Sequence, residues 1–321
     1  MLIKSLMNSY GPREKKDIVI LYMKGLVMGI ADLIPGVSGG TIAFITGIYD
    51  DLLTAISKVN GQFFKKLFSK NYNEALEESS AKFLIILMSG IGTSIILFAR
   101  LMHYLMEHHA IPTWSLFFGL ILASITALSK NVKKIVGVNL FWIALGGVFA
   151  YGVVSLVPVE TPENYGFIFF CGFIAIMAMI LPGLSGSFLL LILGKYQFIT
   201  GAIKSPFADN NIVIMLIFGA GAVCGLLLFS RVLKYFLNNY HEATMAFLIG
   251  VLIGSLKKVW PWKRVLETRV VRGKVKVLTE ANFLPEAFDQ TVLIAIALTL
   301  AGFFVVFFLE KFAGSKDEQS A

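Results

Sequence analysis

Two short stretches hold the residues best suited to chemistry. In Ile34 to Thr41 (IPGVSGGT) and again in Leu181 to Ser187 (LPGLSGS), a proline and a glycine interrupt an apolar run, and small hydroxyl residues follow. Pro-Gly breaks a helix, and the small residues leave backbone N–H groups uncovered at the start of the next half-helix, where the dipole favours an anion. Ser38, Gly39, Gly40 and Thr41 in the first stretch, and Ser185, Gly186 and Ser187 in the second, are therefore expected to line a phosphate-sized site. For one copy, small residues are as well explained by tight helix packing. Two copies at matched positions point instead to a transport site built from broken helices.

Charged residues inside apolar runs come next. Arg100 and Arg231 each follow a Leu-Phe-small triplet. An arginine in such a run costs several kcal/mol and normally faces a partner or a wet cavity. A guanidinium matches a phosphate bidentately, so the pair is expected to bind one headgroup from two sides; the alternative is snorkelling to a nearby helix end. Asp32 is the carboxylate within the broken stretches, and its counterpart is Met179. That asymmetry suggests a proton-coupling role, with a salt bridge or a helix cap as the competing reading. His103, Glu107, His108 and His109 resemble metal-ligand spacing, but an interfacial turn explains them better. There is no HExxH, nucleophile elbow, Walker loop or carboxylate pair, so no catalytic residue, metal or cofactor is expected, and an ATP-driven pump is excluded for this chain.

The elements that must carry these residues lie in lipid. Of 321 residues, 57% are hydrophobic and 15% charged, and the mean hydropathy is +0.77. The apolar residues fall in blocks rather than stripes: 25–49 (interrupted by Asp32), 83–99, 112–129, 135–159, 164–194, 210–230, 243–256 and 290–309. Blocks of this length read as membrane helices, and the absence of short alternating segments argues against a barrel. The net charge of +8 sits in loops and at block ends, which fits helix anchoring and not nucleic acid. Cys171 and Cys224 lie in apolar stretches without a CxxC spacing and read as core residues. No cleavable signal peptide is expected, so the first apolar block stays in the mature chain.

An internal repeat organises these blocks. Ile34 to Tyr49 aligns with Leu181 to Tyr196 at an offset of 147, and Gly90, Arg100, Tyr104, Gly119 and Ser124 align with Gly221, Arg231, Tyr235, Gly250 and Ser255 at 131. The polar segment between Gly61 and Lys82 absorbs the difference. The expected fold is an all-α polytopic membrane protein with an inverted repeat, each half a re-entrant, broken-helix hairpin plus three transmembrane helices. Residues 1–17 form a cytoplasmic N-terminal segment, 18–160 the first repeat, 161–312 the second, and 313–321 a C-terminal tail. Parity places Lys4, Arg13, Lys15, Lys16, the 58–82 loop, Lys130, Lys133 and Lys134 in the cytoplasm, and Glu160 and Glu163 outside. It also puts 257–289 outside, although that loop carries eight Lys or Arg against four acids, in conflict with the positive-inside rule. Its VVRGKVKV core suggests a small hairpin.

Gly25 to Leu52 (GLVMGIADLIPGVSGGTIAFITGIYDDL) and Ala178 to Tyr196 (AMILPGLSGSFLLLILGKY) resemble the two signature segments of the bacterial polyprenyl-phosphate transporter family. The helices around Gly119 to Ser124 and Gly250 to Ser255 are similar to it as well. This resemblance implies a multi-pass protein of the bacterial cytoplasmic membrane. Its partner would be undecaprenyl phosphate, flipped from the outer to the inner leaflet for reuse in peptidoglycan and other envelope polymers. It names the anion; the residues alone supply a broken-helix phosphate site and two arginines in lipid. Alternating access of that site to the two leaflets is the expected mechanism. Two other readings stay open: an undecaprenyl-pyrophosphate phosphatase-like enzyme, which would need a nucleophile or metal-binding carboxylates, and a small-anion channel.

Overall fold

A computed structural model describes residues 2–33, 38–69, 71–130, 132, 137–156, 161–208, 210–271 and 274–317. The Pro35-Gly36 break, Lys133, Lys134 and Glu160 lie outside the described residues. In chain order the elements are α1 (Leu2–Asn8), α2 (Lys15–Asp32), α3 (Gly39–Ile45), α4 (Tyr49–Ser57), α5 (Gly61–Phe68), α6 (Tyr72–Glu78), α7 (Ala81–His108), α8 (Ala110–Ser129) and α9 (Val138–Ser155). There follow α10 (Tyr165–Ile180), α11 (Gly186–Ile192), α12 (Tyr196–Lys204), α13 (Asn211–Asn239), α14 (His241–Val259), β1 (Lys263–Val271), β2 (Lys274–Asn282) and α15 (Gln290–Asp317). The protein is mostly helical, and the strands pair antiparallel as the hairpin expected within 257–289, with Lys263 opposite Asn282 and Val265 opposite Glu280.

Among the described residues, α7, α8, α9, α13 and the 290–307 part of α15 are long and apolar enough to cross a membrane; α11 and α12 make a sixth span only if the pair, bent by 117°, is counted as one. The sequence count of six whole spans included α14, which is not among these five helices. The reason lies in its ends: Glu242 in the first turn and Lys257 and Lys258 in the last leave a shorter apolar stretch between them, in which Met245, Leu248, Ile249, Val251 and Leu252 are buried and which packs against α8 and α9.

Four close helix pairs build the bundle: α2 on α7, α10 on α13, α8 on α15 and α9 on α14. Helices in lipid gain little from burying more apolar surface, so close approach through small residues matters more. At the α8–α15 and α9–α14 crossings that approach depends on glycine. A Cβ added to Gly119 would lie 2.0 Å from Thr299 O, and one added to Gly250 would lie 2.1 Å from Ile143 O.

Each broken stretch is three helical pieces rather than the two expected. The extra break is a second turn, at Gly47 (φ +70°) and at Gly194 (φ +65°). In both, the residue after the glycine donates back five residues, Ile48 N to Ala43 O and Lys195 N to Leu190 O, a Schellman stop that needs a left-handed residue. Between the two breaks the chain folds back. Lys24 Nζ on α2 donates to Thr46 O at the end of α3 (2.6 Å), and Thr161, before α10, donates its hydroxyl to Leu193 O at the end of α11. The first fold-back opens toward the end of the bundle covered by α1, α5 and α6, where Tyr10 binds Asp51. The second opens toward the β-hairpin end, where Lys257 Nζ binds Ser155 Oγ at the end of α9.

Candidate functional site

The two broken stretches meet. Ser38 is the N-cap of α3, in extended backbone, and its Oγ accepts from Gly40 N (3.1 Å) while donating to Met179 O (2.8 Å) in the other half of the chain. Thr41 Oγ1 accepts from Gly183 N (2.8 Å), and Tyr49 donates its hydroxyl to Ile180 O (2.9 Å). Three side chains of the first stretch thus satisfy backbone groups freed where α10 ends. Gly40 makes the approach possible, since a Cβ there would lie 2.7 Å from Met179 O and 2.8 Å from Ile180 O. Ser38, Thr41 and Ser185 are buried at 1%, 2% and 5% exposure, so the crossing is closed and held by its own hydrogen bonds.

The two half-helix starts differ in charge. At the first, Gly39 N donates to Asp32 Oδ1 at 2.6 Å. Asp32 therefore occupies the place the sequence assigned to an incoming anion, and an ionised carboxylate there repels a phosphate. At the second, Met179 stands where Asp32 would be, Ser185 makes no capping bond, and its Oγ instead pairs with Ser187 Oγ at 2.8 Å. Of the seven small residues singled out, Ser38, Gly39, Gly40 and Thr41 are engaged at the crossing; Ser185, Gly186 and Ser187 lie beside it, with Gly186 packed against Ala175 O.

The arginines are elsewhere. Arg231 is exposed on α13 and donates from Nη2 to Val59 O (3.2 Å), just past α4. The neighbouring Lys58 lies over the Tyr10 ring, and Tyr10 packs on Phe83 in the first turn of α7. Arg100 is also exposed, 17 residues further along the same helix, or about 25 Å at the α-helical rise. The structure does not bring the two guanidiniums to one point. Each lies on an apolar outward face, Arg100 with Ile96 and Leu97, Arg231 with Leu228 and Val232.

Among the described residues no group of three His, Cys, Asp or Glu is placed to hold a metal; the side chain of His103 is not among them. His108 instead stacks on Tyr104 and meets Tyr104 O at 3.1 Å. A small polar pocket of about 70 Å³ lies under α5 and α6, lined by Lys58, Asn60, Gln62 and Glu78 among others, and not at the crossing.

Sequence reasoning missed three groups. Tyr49 was visible as the last residue of the repeated motif, but not its bond across to Ile180. Lys195, 3% exposed, donates to Thr161 O (2.7 Å) and faces Glu163 at 3.7 Å. Lys258 and Lys263 were counted as loop charge, yet their ammonium groups sit over the rings of Phe188 and Trp114.

A family profile described as undecaprenyl phosphate translocase-like matches residues 28–276, which include both broken stretches and the helices that cross them. The chain belongs to this family. Among relatives of the undecaprenyl phosphate translocase-like family, a polyprenyl-phosphate transporter of Vibrio cholerae serotype O1 is 43% identical over 299 residues, covering 91% of this chain and 96% of that protein. A polyprenyl-phosphate transporter of Staphylococcus aureus is 32% identical over 254 residues, covering 74% of this chain and 85% of that protein. No solved structure matches the chain. With the apolar helices described above, these relatives make it a multi-pass bacterial membrane protein.

Proposed function

We propose that the protein translocates a polyprenyl phosphate, undecaprenyl phosphate by its family, between the leaflets of the bacterial cytoplasmic membrane, returning the carrier lipid to peptidoglycan and envelope polymer synthesis. The observation that carries this reading is the crossing. Ser38, Thr41 and Tyr49 of one broken stretch bind Met179, Gly183 and Ile180 of the other, where the interrupted helices of the two halves meet. Transporters with inverted repeats keep their substrate site at such a junction of discontinuous helices.

The packing supports the inverted repeat. Exchanging the halves turns the α8–α15 pair into α14–α9 and the α2–α7 pair into α10–α13, and all four pairs exist. The two fold-backs open toward opposite ends of the bundle, as three crossings per half require when α14, flanked by α8 and α9, is counted as the third crossing of the second half. In this account the closed crossing opens to one leaflet at a time. The headgroup then meets the hydroxyls of Ser185 and Ser187, the backbone at Gly186 and, once Asp32 has taken a proton, the freed N–H groups of Gly39 and Gly40 with Ser38 and Thr41. Phosphate and proton enter together because Asp32 and the phosphate compete for the same donors. Arg100 and Arg231, toward opposite ends of the bundle and facing lipid, each meet the headgroup in their own leaflet while the prenyl tail stays in the bilayer.

Reconstituted protein tests this against the two other readings. Wild type is expected to move a polyprenyl phosphate between leaflets, to release no phosphate from polyprenyl pyrophosphate, and to pass no inorganic phosphate. Phosphate release would make it an enzyme, and tail-independent flux a channel.

A further inference from the structure

Lys258 ends α14 and Lys263 begins β1, five positions apart, and the structure folds both back onto aromatic rings. Lys263 Nζ lies 3.6 Å from the centroid of Trp114, a buried residue in the first turn of α8. Lys258 Nζ lies 4.7 Å from the centroid of Phe188, which directly follows Ser185, Gly186 and Ser187 in α11. Between them Trp260 meets Phe118 edge-on at 5.5 Å and donates its indole N–H to Phe283 O (2.9 Å), which pins the connecting segment. The aromatic faces attract both ammonium groups and displace water from around them.

The charges do not balance. Lys258 and Lys263 are close enough to repel each other, and Glu280 is the carboxylate that acts on both, at 3.2 Å from Lys258 Nζ. Burial, and then Lys258, push the Lys263 ammonium down to about 7 against the pull of Glu280. Among the described residues, a half-buried pair of cations with Glu280 as the carboxylate acting on both lacks one negative charge when both are protonated.

We propose that Lys258 and Lys263, seated on Phe188 and Trp114, form a docking site for a phosphate monoester at the β-hairpin end of the bundle, beside the second broken stretch. Two ammonium groups bind a phosphate as point charges, without the fixed geometry of an arginine fork. The site adjoins the crossing: a Cβ on Gly183 would lie 2.8 Å from Ser255 Oγ, one turn of α14 before Lys258. On the topology proposed above this is the outer face, where a spent carrier lipid is collected. Leu284 and Phe288, both strongly exposed beside the hairpin, give a lipid tail an apolar path to that face. The basic excess of 257–289, against the positive-inside rule, then has a cause: these lysines bind a ligand. That the phosphate belongs to a lipid rests on the proposed function; the anion site does not.

The test is equilibrium binding of radiolabelled inorganic phosphate and of radiolabelled undecaprenyl phosphate to the full-length protein in detergent micelles. Wild type, Lys258→Gln/Lys263→Gln and Lys258→Arg/Lys263→Arg are compared, with Lys257→Gln as control, since Lys257 instead faces Tyr151 and Ser155. The glutamine pair is expected to bind about tenfold or more weakly, and the arginine pair and the control to stay close to wild type, so charge and not folding is what is lost. Binding of the lipid alone makes the site a lipid headgroup site; binding of both makes it a general phosphate site; either supports the proposal. Absence of binding by wild type, or equal binding by the glutamine pair, overturns it. Lysine-dependent binding without translocation removes the transport reading and leaves the site. Translocation with lysine-independent binding does the reverse.

Discussion

Replacing Thr41 with valine keeps the branched shape of the side chain and removes the oxygen that accepts from Gly183 N at 2.8 Å. Thr41 is 2% exposed, so water does not take its place. A buried N–H left without an acceptor costs about 1–3 kcal/mol. The closed crossing should then open roughly 5- to 150-fold more often, because each 1.4 kcal/mol is a factor of ten. Hydrogen–deuterium exchange of peptides spanning 181–190, followed by mass spectrometry in micelles, reads that opening at the Gly183 amide. Thr41→Ser keeps the acceptor and is expected to exchange as wild type does. If the valine variant exchanged within about twofold of wild type, a shift well below the cost of an orphaned donor, the bond would not hold the two broken stretches together and the closed crossing would need another cause.

Gly250→Leu drives a side chain into Ile143 O at the α9–α14 crossing, and overpacking of this kind costs about 1–3 kcal/mol or more; thermal unfolding in micelles should fall, while the same change at Gly92, where nothing lies near the added Cβ, should leave it. Asp32→Asn keeps an oxygen for Gly39 N and removes the proton, so the protein is expected to insert normally but to lose the dependence of translocation on an imposed proton gradient. Arg100→Ala and Arg231→Ala are each expected to lower translocation without loss of insertion; normal complementation by both would leave the arginines as interface anchors. Lys263 is held near 7, below the ordinary lysine value of about 10.4, so the folded protein binds fewer protons than the unfolded chain between those values. Stability of the ligand-free protein should therefore rise with pH across that window, whose lower edge is set by burial first and the Lys258 charge second, against Glu280, and Lys263→Gln should flatten the rise in unfolding temperature.

Much of this was legible because the chain repeats itself. Two matched Pro-Gly interruptions, in blocks too short on either side to span, announce broken helices, and the shared Gly-x-Tyr at Gly47 to Tyr49 and Gly194 to Tyr196 marks where each fold-back turns. Gly119 and Gly250 align at one offset and take equivalent places at the helix crossings. What the repeat does not encode is which halves touch. The bonds from Ser38, Thr41 and Tyr49 span 131 to 142 positions and end on backbone atoms, which have no residue signature. The arginines stand apart for a related reason: on the inverted repeat proposed above, equal positions in the two halves fall toward opposite ends of the bundle, so matching in sequence separates them in space. Lys263 stayed hidden because a basic loop reads as solvated charge, and its Trp114 partner is an aromatic in an apolar helix far along the chain.

Proteoliposomes that hold a polyprenyl phosphate in one leaflet put the central claim to its most direct test, with the exposure of the headgroup to a membrane-impermeant phosphatase followed over time. The crossing as a lipid-phosphate pathway predicts protein-dependent movement to the other leaflet, faster with an imposed proton gradient and slowed by Asp32→Asn. A headgroup that stays in its leaflet under every gradient, with the protein folded and inserted, would contradict it.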